Sequence, residues 1–472
     1  LPISDITGTT YQPSEIVLQC KKVFKNIIAY DKFDFDGKKE SMYALRPAFD
    51  TVADMIGKGK KVPESLLEIF AQNPEYSAKL DSLINAKDKV PFKIFDKKNA
   101  EKLFGKNLNI SASQLEKFNL CRFSYFCNYG LNVRERQRAE INPMQYGTIV
   151  HYILERFFGE YTKEEYLSLE EDKLQKIVCA YLAEYAVKYF GEEQLESNSF
   201  TYRLKTILDN VMHLMKHIME ELSQSEFFVA DCELKIGEDI PSYTIVLPDG
   251  HKIAVCGSVD RVDIMQRADI TYLRIIDYKT GTKQFKLSDI LYGINLQMLL
   301  YLHSIEASGG DKYGEIVPAG ILYMPATVPY ISSDSLKSID KLPDELNKKL
   351  KMNGLLLKDT EIIHGMDKTD VATYIPVKIK AGEPVSSTSL ATLAEFGKIF
   401  KKVDMLIAEM GKNIYNGNIE AKPLKGGHDS CEYCPYDSVC AYRQSNPITC
   451  FSVDNKTVIE EITNEINGKE EE

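Results

Sequence analysis

The spacing of apolar positions changes several times along the chain, and the changes separate helical from strand-forming segments. Residues 1 to about 106 carry mixed helical patterns broken by polar turns at 34–39 and 57–61. Between about 109 and 223 the apolar period is strongly helical. Ser111 or Ser113 is placed to cap a helix running through Leu115, Phe118 and Leu120. Asn142 is placed to cap a second, with Pro143 in its first turn and the helix continuing over 144–158. Two longer amphipathic helices are expected at 163–190 and 200–223. Near 227 the period falls to two. Segments 228–236, 243–247, 253–264 and 272–278 read as strands rich in β-branched and aromatic residues, with a hairpin signal at Pro248-Asp249-Gly250. Helical spacing returns at 289–307 and 388–414, around a short apolar strand at 319–323. Residues 330–385 are polar and show no clear period. Residues 459–472 read as an acidic, frayed tail. No internal repeat or low-complexity block interrupts this order.

Composition narrows the class. Of 472 residues, 44% are hydrophobic and 27% charged, which excludes a wholly disordered or fibrous chain. No apolar run approaches the ~18–20 residues of a membrane helix. The formal charge of −11 argues against a protein that coats nucleic acid by charge alone. Ten cysteines without a secretion signal or a regular ladder predict a reducing, cytoplasmic setting. There, clustered thiols read as metal ligands and scattered ones as small core side chains.

The sharpest chemical signal is Asp260 followed by Asp277-Tyr278-Lys279. Asp277 ends the apolar strand segment Leu273-Arg274-Ile275-Ile276, and Lys279, two residues on, projects to the same face. Two adjacent strands can bring both carboxylates to one side of a sheet edge. Two carboxylates and a lysine facing one point suit metal-assisted phosphodiester hydrolysis. Hard oxygen ligands hold a Mg²⁺ ion that polarises phosphate, and the ammonium orients water and offsets developing charge. Upstream, His151 and Glu155 share a helix face with Gly147, whose small size would admit a close backbone neighbour. His151 is a candidate nitrogen ligand and Glu233 a further candidate carboxylate. Gln297 and Tyr301 stand one turn apart on the helix expected to pack over this edge.

The second signal is Cys431-x2-Cys434-x5-Cys440. Three clustered thiols need a fourth ligand, and zinc or an iron–sulfur cluster could occupy the site. Cys121, after the helix capped by Ser111 or Ser113, is the best remote candidate, with Cys127 a rival.

These residues together carry a resemblance. The Ser111–Phe118 segment leading to Cys121, Gly147–His151, Gly257–Asp263, Ile276–Gly281, Gln297–Tyr301 and the cysteine triplet resemble the RecB-type domain, a branch of the PD-(D/E)XK nucleases. The form with one cysteine before the core and three after it resembles the B subunit of AddAB-type helicase–nucleases. The resemblance implies an α/β, restriction-endonuclease-like core: a mixed central sheet flanked by helices, with a helical N-terminal part and an iron–sulfur staple. It implies a Mg²⁺- or Mn²⁺-dependent DNA exonuclease in which His151, Asp260, Asp277 and the Tyr278 carbonyl bind the metal. Lys279 would activate water, and Gln297 and Tyr301 would shape the site. Cys121, Cys431, Cys434 and Cys440 would ligate a four-iron–four-sulfur (4Fe–4S) cluster, Cys121 being preferred over Cys127 by motif position.

The same resemblance implies DNA, as a single strand at the site, and a helicase–nuclease A subunit as partners in double-strand break repair, in a bacterial cytoplasm with no membrane. No Gly-x4-Gly-Lys-Ser/Thr phosphate loop is present, and the chain begins at Leu1. Residues 1–106 are therefore expected to be the remnant of an inactive helicase-like region, 107–450 the nuclease domain and 451–472 a tail. Two other readings stand beside this one, a CRISPR-associated RecB-like exonuclease and a catalytically silent DNA-binding scaffold. A basic and aromatic stretch, Arg122, Tyr125, Phe126, Tyr129, Arg134, Arg136 and Arg138, suits a single strand, or equally a packed aromatic face beneath solvated charges.

Overall fold

The computed structural model describes residues 15–24, 44–57, 60–85, 93–134, 143–191, 197–281, 284–327, 342–369, 371–386, 388–440, 442 and 447–470. The chain divides into two units, Leu1–Pro91 and Phe92–Glu472. In the first, helices Leu45–Gly57, Glu64–Gln72 and Ser77–Asn85 bury one apolar stripe each. Phe49, Phe70 and Tyr76 meet there, with ring centroids 4.8–5.5 Å apart. Residues 93–106, expected with this segment, belong to the second unit. The Ile94 amide donates to the Gly417 carbonyl at 2.8 Å, and helix Lys97–Phe104 packs on helix Leu393–Tyr415.

The second unit is built on a mixed six-stranded sheet. The strands of this unit, in chain order, are β1 (Asn107–Ile110), β2 (Phe228–Ile236), β3 (Thr244–Val246), β4 (Lys252–Val255), β5 (Gly257–Arg267), β6 (Ile270–Lys279), β7 (Glu315–Pro325), β8 (Asn353–Leu357), β9 (Lys378–Lys380), β10 (Glu383–Val385), β11 (Leu390–Ala391), β12 (Leu424–Gly426) and β13 (Ile448–Cys450). The order in the central sheet is β11-β8-β7-β6-β5-β2. β2, β5 and β6 form an antiparallel meander, and β6 pairs in parallel with β7. A parallel pair needs a crossover. Helix Gln297–Ser308 supplies it, and its buried run from Met298 to Ile305 shows that it is enclosed on nearly every side. The centre of β6 is buried throughout, as expected of a strand covered on both faces.

Helices Pro143–Glu160, Glu171–Phe190 and Asn198–Gln224 pack together, the first of them lying against β2 and β6. Ser111 is the cap of helix Ala112–Leu120, accepting from the Gln114 amide at 3.4 Å. Asn142 and residues 34–39 fall outside the described residues. The polar stretch 330–385 forms, where described, helix Leu342–Leu350, β8, helix Thr360–Met366 and the β9–β10 hairpin.

The expected frayed tail is instead helix Asn455–Glu470. Val458 and Ile462, one turn apart, are fully buried in the main core, and Glu465 pairs with Lys402. Two apolar residues at helical spacing outweigh the acidic composition that suggested a loose end. No described helix is long and apolar enough to cross a membrane.

Candidate active site

Four elements bring the predicted residues together. β5 carries Asp260, β6 carries Asp277 and Lys279, β2 carries Glu233, and helix Pro143–Glu160 carries His151. Cys232 pairs with Arg261 and Leu234 with Val259, which leaves Glu233 opposite Asp260. Glu233 has φ of 51°, a left-handed conformation that is costly for a residue with a Cβ. Its carboxylate faces the histidine. Glu233 Oε1 lies 2.8 Å from His151 Nδ1, and Oε2 accepts from Ser258 Oγ at 2.8 Å. His151 Nε2 stands 3.6 Å from Asp260 Oδ2. Asp260 is held in turn by the backbone N–H of Tyr278 at 2.9 Å. Lys279 Nζ contacts the buried Asp277 carboxylate at 2.5 Å.

The electrostatics follow from crowding acids at the end of a buried sheet. Burial, with Asp277 beside it, pushes the Asp260 carboxyl up to about 7, against the opposing pull of His151 and the Tyr278 amide. Burial disfavours the charged form of Glu233 as well, but the His151 and Ser258 hydrogen bonds prevail and hold it below the usual carboxylate range. For His151, burial works against protonation. The hydrogen bond to Glu233 and the charges of Asp260, Glu233 and Asp277 outweigh it, and its pKa rises. Among the described residues, His151, Glu233 and Asp260 are the one group of three such donors within 4.8 Å of one another. A histidine nitrogen with several carboxylate oxygens suits a divalent cation such as Mg²⁺ or Mn²⁺.

His151 and Glu233 open onto a cleft of about 900 Å³, and Asp260 and Asp277 lie behind its lining. His151, Glu233 and Lys279 line it, with Lys235, Glu155 and three tyrosines, Tyr152, Tyr185 and Tyr189. Tyr278 lines it too, although it is 4% exposed and its hydroxyl accepts from Arg261 Nη1 at 3.4 Å. Gly147 lines the cleft without being forced to be glycine, since a Cβ there would meet only Thr280 Cγ2 at 3.9 Å. Tyr301 lies beneath the site rather than in the cleft. It is 5% exposed, and a Cβ on Gly257 would fall 2.2 Å from its hydroxyl, which explains the glycine at that position. Gln297, at the start of the crossover helix, is not among the cleft residues.

Sequence reasoning weighed Glu233 as a candidate but could not see that a left-handed kink aims it at His151. It missed the tyrosines, whose i, i+4 spacing at 185 and 189 was the available signal. It also missed a fully buried charge network behind the site. Arg261 and Arg274 share Asp263 and Glu221, with Arg274 Nη2–Glu221 Oε1 at 2.5 Å and Arg261 Nη2–Asp263 Oδ2 at 2.6 Å.

The cysteines form a second locus. Cys121 and Cys127 are buried with Phe123 and Tyr436, and Cys434 and Cys440 pack against them. Tyr436 Oη donates to the Val133 carbonyl at 2.7 Å, tying the C-terminal segment to the turn after Cys127. Burial pushes the Cys121 thiol up, while amides of Ser124, Phe123 and Lys422 donate to its sulfur. Cys440 is likewise raised by burial, with the charges of Cys121, Cys434 and Cys431 nearby and the Tyr442 amide opposing. Five thiols therefore converge, Cys127 among them. Of the basic and aromatic stretch, Tyr125 is buried against Phe104 and Phe118, and Arg122 pairs with Glu409 at 3.4 Å. That part is packed structure. Arg134 is exposed, while Arg136 and Arg138 lie outside the described residues.

Comparison with known proteins agrees with this geometry. The family model of the PD-(D/E)XK nuclease superfamily matches residues 109–441. The chain is 31% identical to the B subunit of the ATP-dependent helicase/deoxyribonuclease of Clostridium acetobutylicum, over 93% of this chain and 40% of that protein. The protein of the same name from Thermoanaerobacter sp. is 30% identical over 93% of this chain and 40% of its own length. That of Ruminiclostridium cellulolyticum is 32% identical over 95% and 41%. The chain thus spans about 40% of the length of the curated relatives it matches. With Asp260 and the Asp277-x-Lys279 triplet on adjacent strands of a mixed sheet, inside the matched region, the chain belongs to the PD-(D/E)XK nuclease superfamily.

Proposed function

We propose that this chain is the nuclease part of a helicase–nuclease B subunit and hydrolyses phosphodiester bonds of a DNA strand in a Mg²⁺- or Mn²⁺-dependent reaction. The observation that carries this reading is the convergence of His151, Asp260, Asp277 and Lys279 at one end of the sheet, beside an open cleft. The likeness to the B subunits of helicase/deoxyribonucleases runs over 93% of the chain, beyond the matched nuclease region. That favours this setting over a CRISPR-associated exonuclease, and supports a helicase–nuclease A subunit as the partner. The complete carboxylate–lysine set favours an enzyme over a silent scaffold.

The donor set fits a divalent cation. His151 Nε2, Asp260 and Asp277 would hold it, with the Tyr278 carbonyl nearby. Both oxygens of Glu233 are already engaged, by His151 and Ser258, so Glu233 is best read as the group that orients the histidine. Bound there, the cation would polarise the phosphate and acidify a water. With the cation displacing the proton of Nε2, Glu233 would hold the remaining proton on His151 Nδ1 and so orient the ring as a ligand. The Tyr278 amide fixes the Asp260 carboxylate against rotation. Asp277 holds the Lys279 ammonium at the cleft wall, where it can orient the attacking water and neutralise charge gathering on the phosphate. The test is cleavage of an end-labelled single strand, which should require Mg²⁺ or Mn²⁺ and stop on chelation. Undiminished cleavage in chelator would reject the metal-dependent mechanism.

The thiol locus fits a 4Fe–4S cluster held by Cys121, Cys431, Cys434 and Cys440. Five convergent thiols exceed the four that one tetrahedral zinc takes, and the one-before, three-after arrangement of Cys121 and Cys431, Cys434 and Cys440 is that of the iron–sulfur form of the family. Its role would be structural, stapling the turn after helix Ala112–Leu120 to the C-terminal segment, with the amides around Cys121 and Cys440 offsetting thiolate charge. Anaerobically purified protein is expected to be brown and to carry about four iron atoms. Cys434→Ser should lose most of that iron and lower the thermal midpoint. Colourless protein with stoichiometric zinc would contradict the assignment.

A further inference from the structure

The three cleft tyrosines have no part in the hydrolytic machinery, yet they form a continuous surface leading to it. Tyr185 and Tyr189 stand one turn apart on helix Glu171–Phe190, their ring centroids 4.4 Å apart at an interplanar angle of 34°. Tyr152, one residue after His151, packs its ring 5.2 Å from Tyr185. Tyr185 is almost wholly buried, whereas Tyr189 is 56% exposed. Tyr152 is fixed by its hydroxyl, which donates to Glu184 at 2.8 Å, and Arg156 holds the same carboxylate at 3.1 Å. The inner two rings are thus locked, and the outer one packs on Tyr185 and stays more than half exposed. All three share the cleft with His151, Glu233 and Lys279.

Tyr189 is set apart from other exposed rings by its rigid backing and by its place on the wall of the cleft that His151 and Lys279 line. The geometry points to a nucleobase-stacking platform: Tyr189, supported by Tyr185 and Tyr152, takes an unpaired base of the strand whose phosphodiester lies at Asp260 and Asp277. Every base has a π-face, so stacking of this kind holds a strand without reading its sequence. A duplex keeps its bases stacked on one another and offers no free face to Tyr189, so the platform selects for single strands. The exposed Lys188 ammonium lies over the Tyr189 ring, 5.2 Å from its centroid, a cation–π contact that an arriving base would displace toward the phosphates. With Lys235 on the cleft wall, it places positive charge where the sugar–phosphate chain would run. This inference rests on the nuclease reading for the identity of the ligand, and its test is read separately from cleavage.

The chain contains no tryptophan, so Tyr189→Trp introduces a single indole reporter. Binding is measured on the full chain in chelator, where cleavage is absent, with three probes: a twelve-nucleotide oligothymidylate, an abasic strand of equal length and a duplex. The platform predicts that oligothymidylate quenches the indole and the abasic strand does not. It predicts that Tyr189→Ala weakens oligothymidylate binding about five- to tenfold, the lower range for one base on one ring. Binding of the abasic strand and duplex should stay unchanged, and Tyr189→Phe should bind as wild type. With Mg²⁺ restored, Tyr189→Ala should raise KM and leave kcat intact. An equal loss on the abasic strand, or no loss on oligothymidylate, overturns the platform even if cleavage is normal. Tyrosine-dependent binding without any metal-dependent cleavage would sustain the platform and reject the nuclease reading.

Discussion

Replacing Arg274 by Met should destabilise the second unit by about 3–5 kcal/mol, the cost of leaving a buried carboxylate without its partner. Arg261, Arg274, Asp263 and Glu221 all have fully buried side chains. The four charges cancel, and each guanidinium bridges the same two carboxylates. Arg274 also lies over the Phe227 ring, 4.8 Å from its centroid. Met fills much of the same volume, so the loss would be electrostatic rather than a cavity. Asp263 gives the effect a pH signature. Burial works against its charge, but the two guanidiniums prevail and hold its carboxyl below the usual value of 3.8. A depressed carboxyl contributes stability that is complete above its unfolded pKa and is lost as pH falls through the folded one. Without Arg274 that advantage shrinks, and acid unfolding should begin at higher pH than in the wild type. Urea unfolding at neutral pH and an acid titration followed by circular dichroism check both parts. A variant with wild-type stability would mean that the network does not support the fold.

The second large effect is expected from Lys279→Ala. Its ammonium is paired with Asp277 at the edge of the cleft and is 27% exposed, so it reaches the water and phosphate side of the site. Its loss should lower kcat by roughly a hundred- to a thousandfold, the range for a positioned proton-handling or charge-stabilising group. KM and Mn²⁺ affinity should change little, because the ligating groups His151, Asp260 and Asp277 remain. Single-turnover cleavage together with Mn²⁺ binding by calorimetry would separate these effects. A variant that loses the metal and not the rate would reassign Lys279 to the integrity of the metal site.

Much of the core was legible because its determinants are local. A run of apolar residues ending in Asp277-x-Lys279 announces a buried strand with charges at its tip, and period-two spacing located β2 and β6 within a few residues, while the single strand expected at 253–264 is two, β4 and β5, in different sheets. His151 was legible through helical spacing with Gly147 and Glu155. What stayed hidden depends on contacts across the sequence. The role of Glu233 depends on a left-handed φ and on its pairing opposite Asp260. The Arg261–Arg274–Asp263–Glu221 network runs against hydrophobic patterning, which reads charges as surface. The C-terminal helix was masked by its acidic composition, although Val458 and Ile462 already carried its apolar stripe. Tyr301 was expected, from the resemblance, to shape the site with Gln297; its position packed close over Gly257, with the Ala112 amide at its hydroxyl, depends on contacts that spacing does not show.

Whether the carboxylates of β5 and β6 are catalytic is decided most directly by one rate. It is the rate of Mg²⁺-dependent cleavage of an end-labelled single strand by the wild-type chain and by Asp277→Ala, prepared side by side and matched for thermal midpoint and iron content. Cleavage by the wild type, with at least a thousandfold loss in the variant, about 4 kcal/mol of transition-state stabilisation, is the predicted result. Equal rates from the two proteins would contradict it.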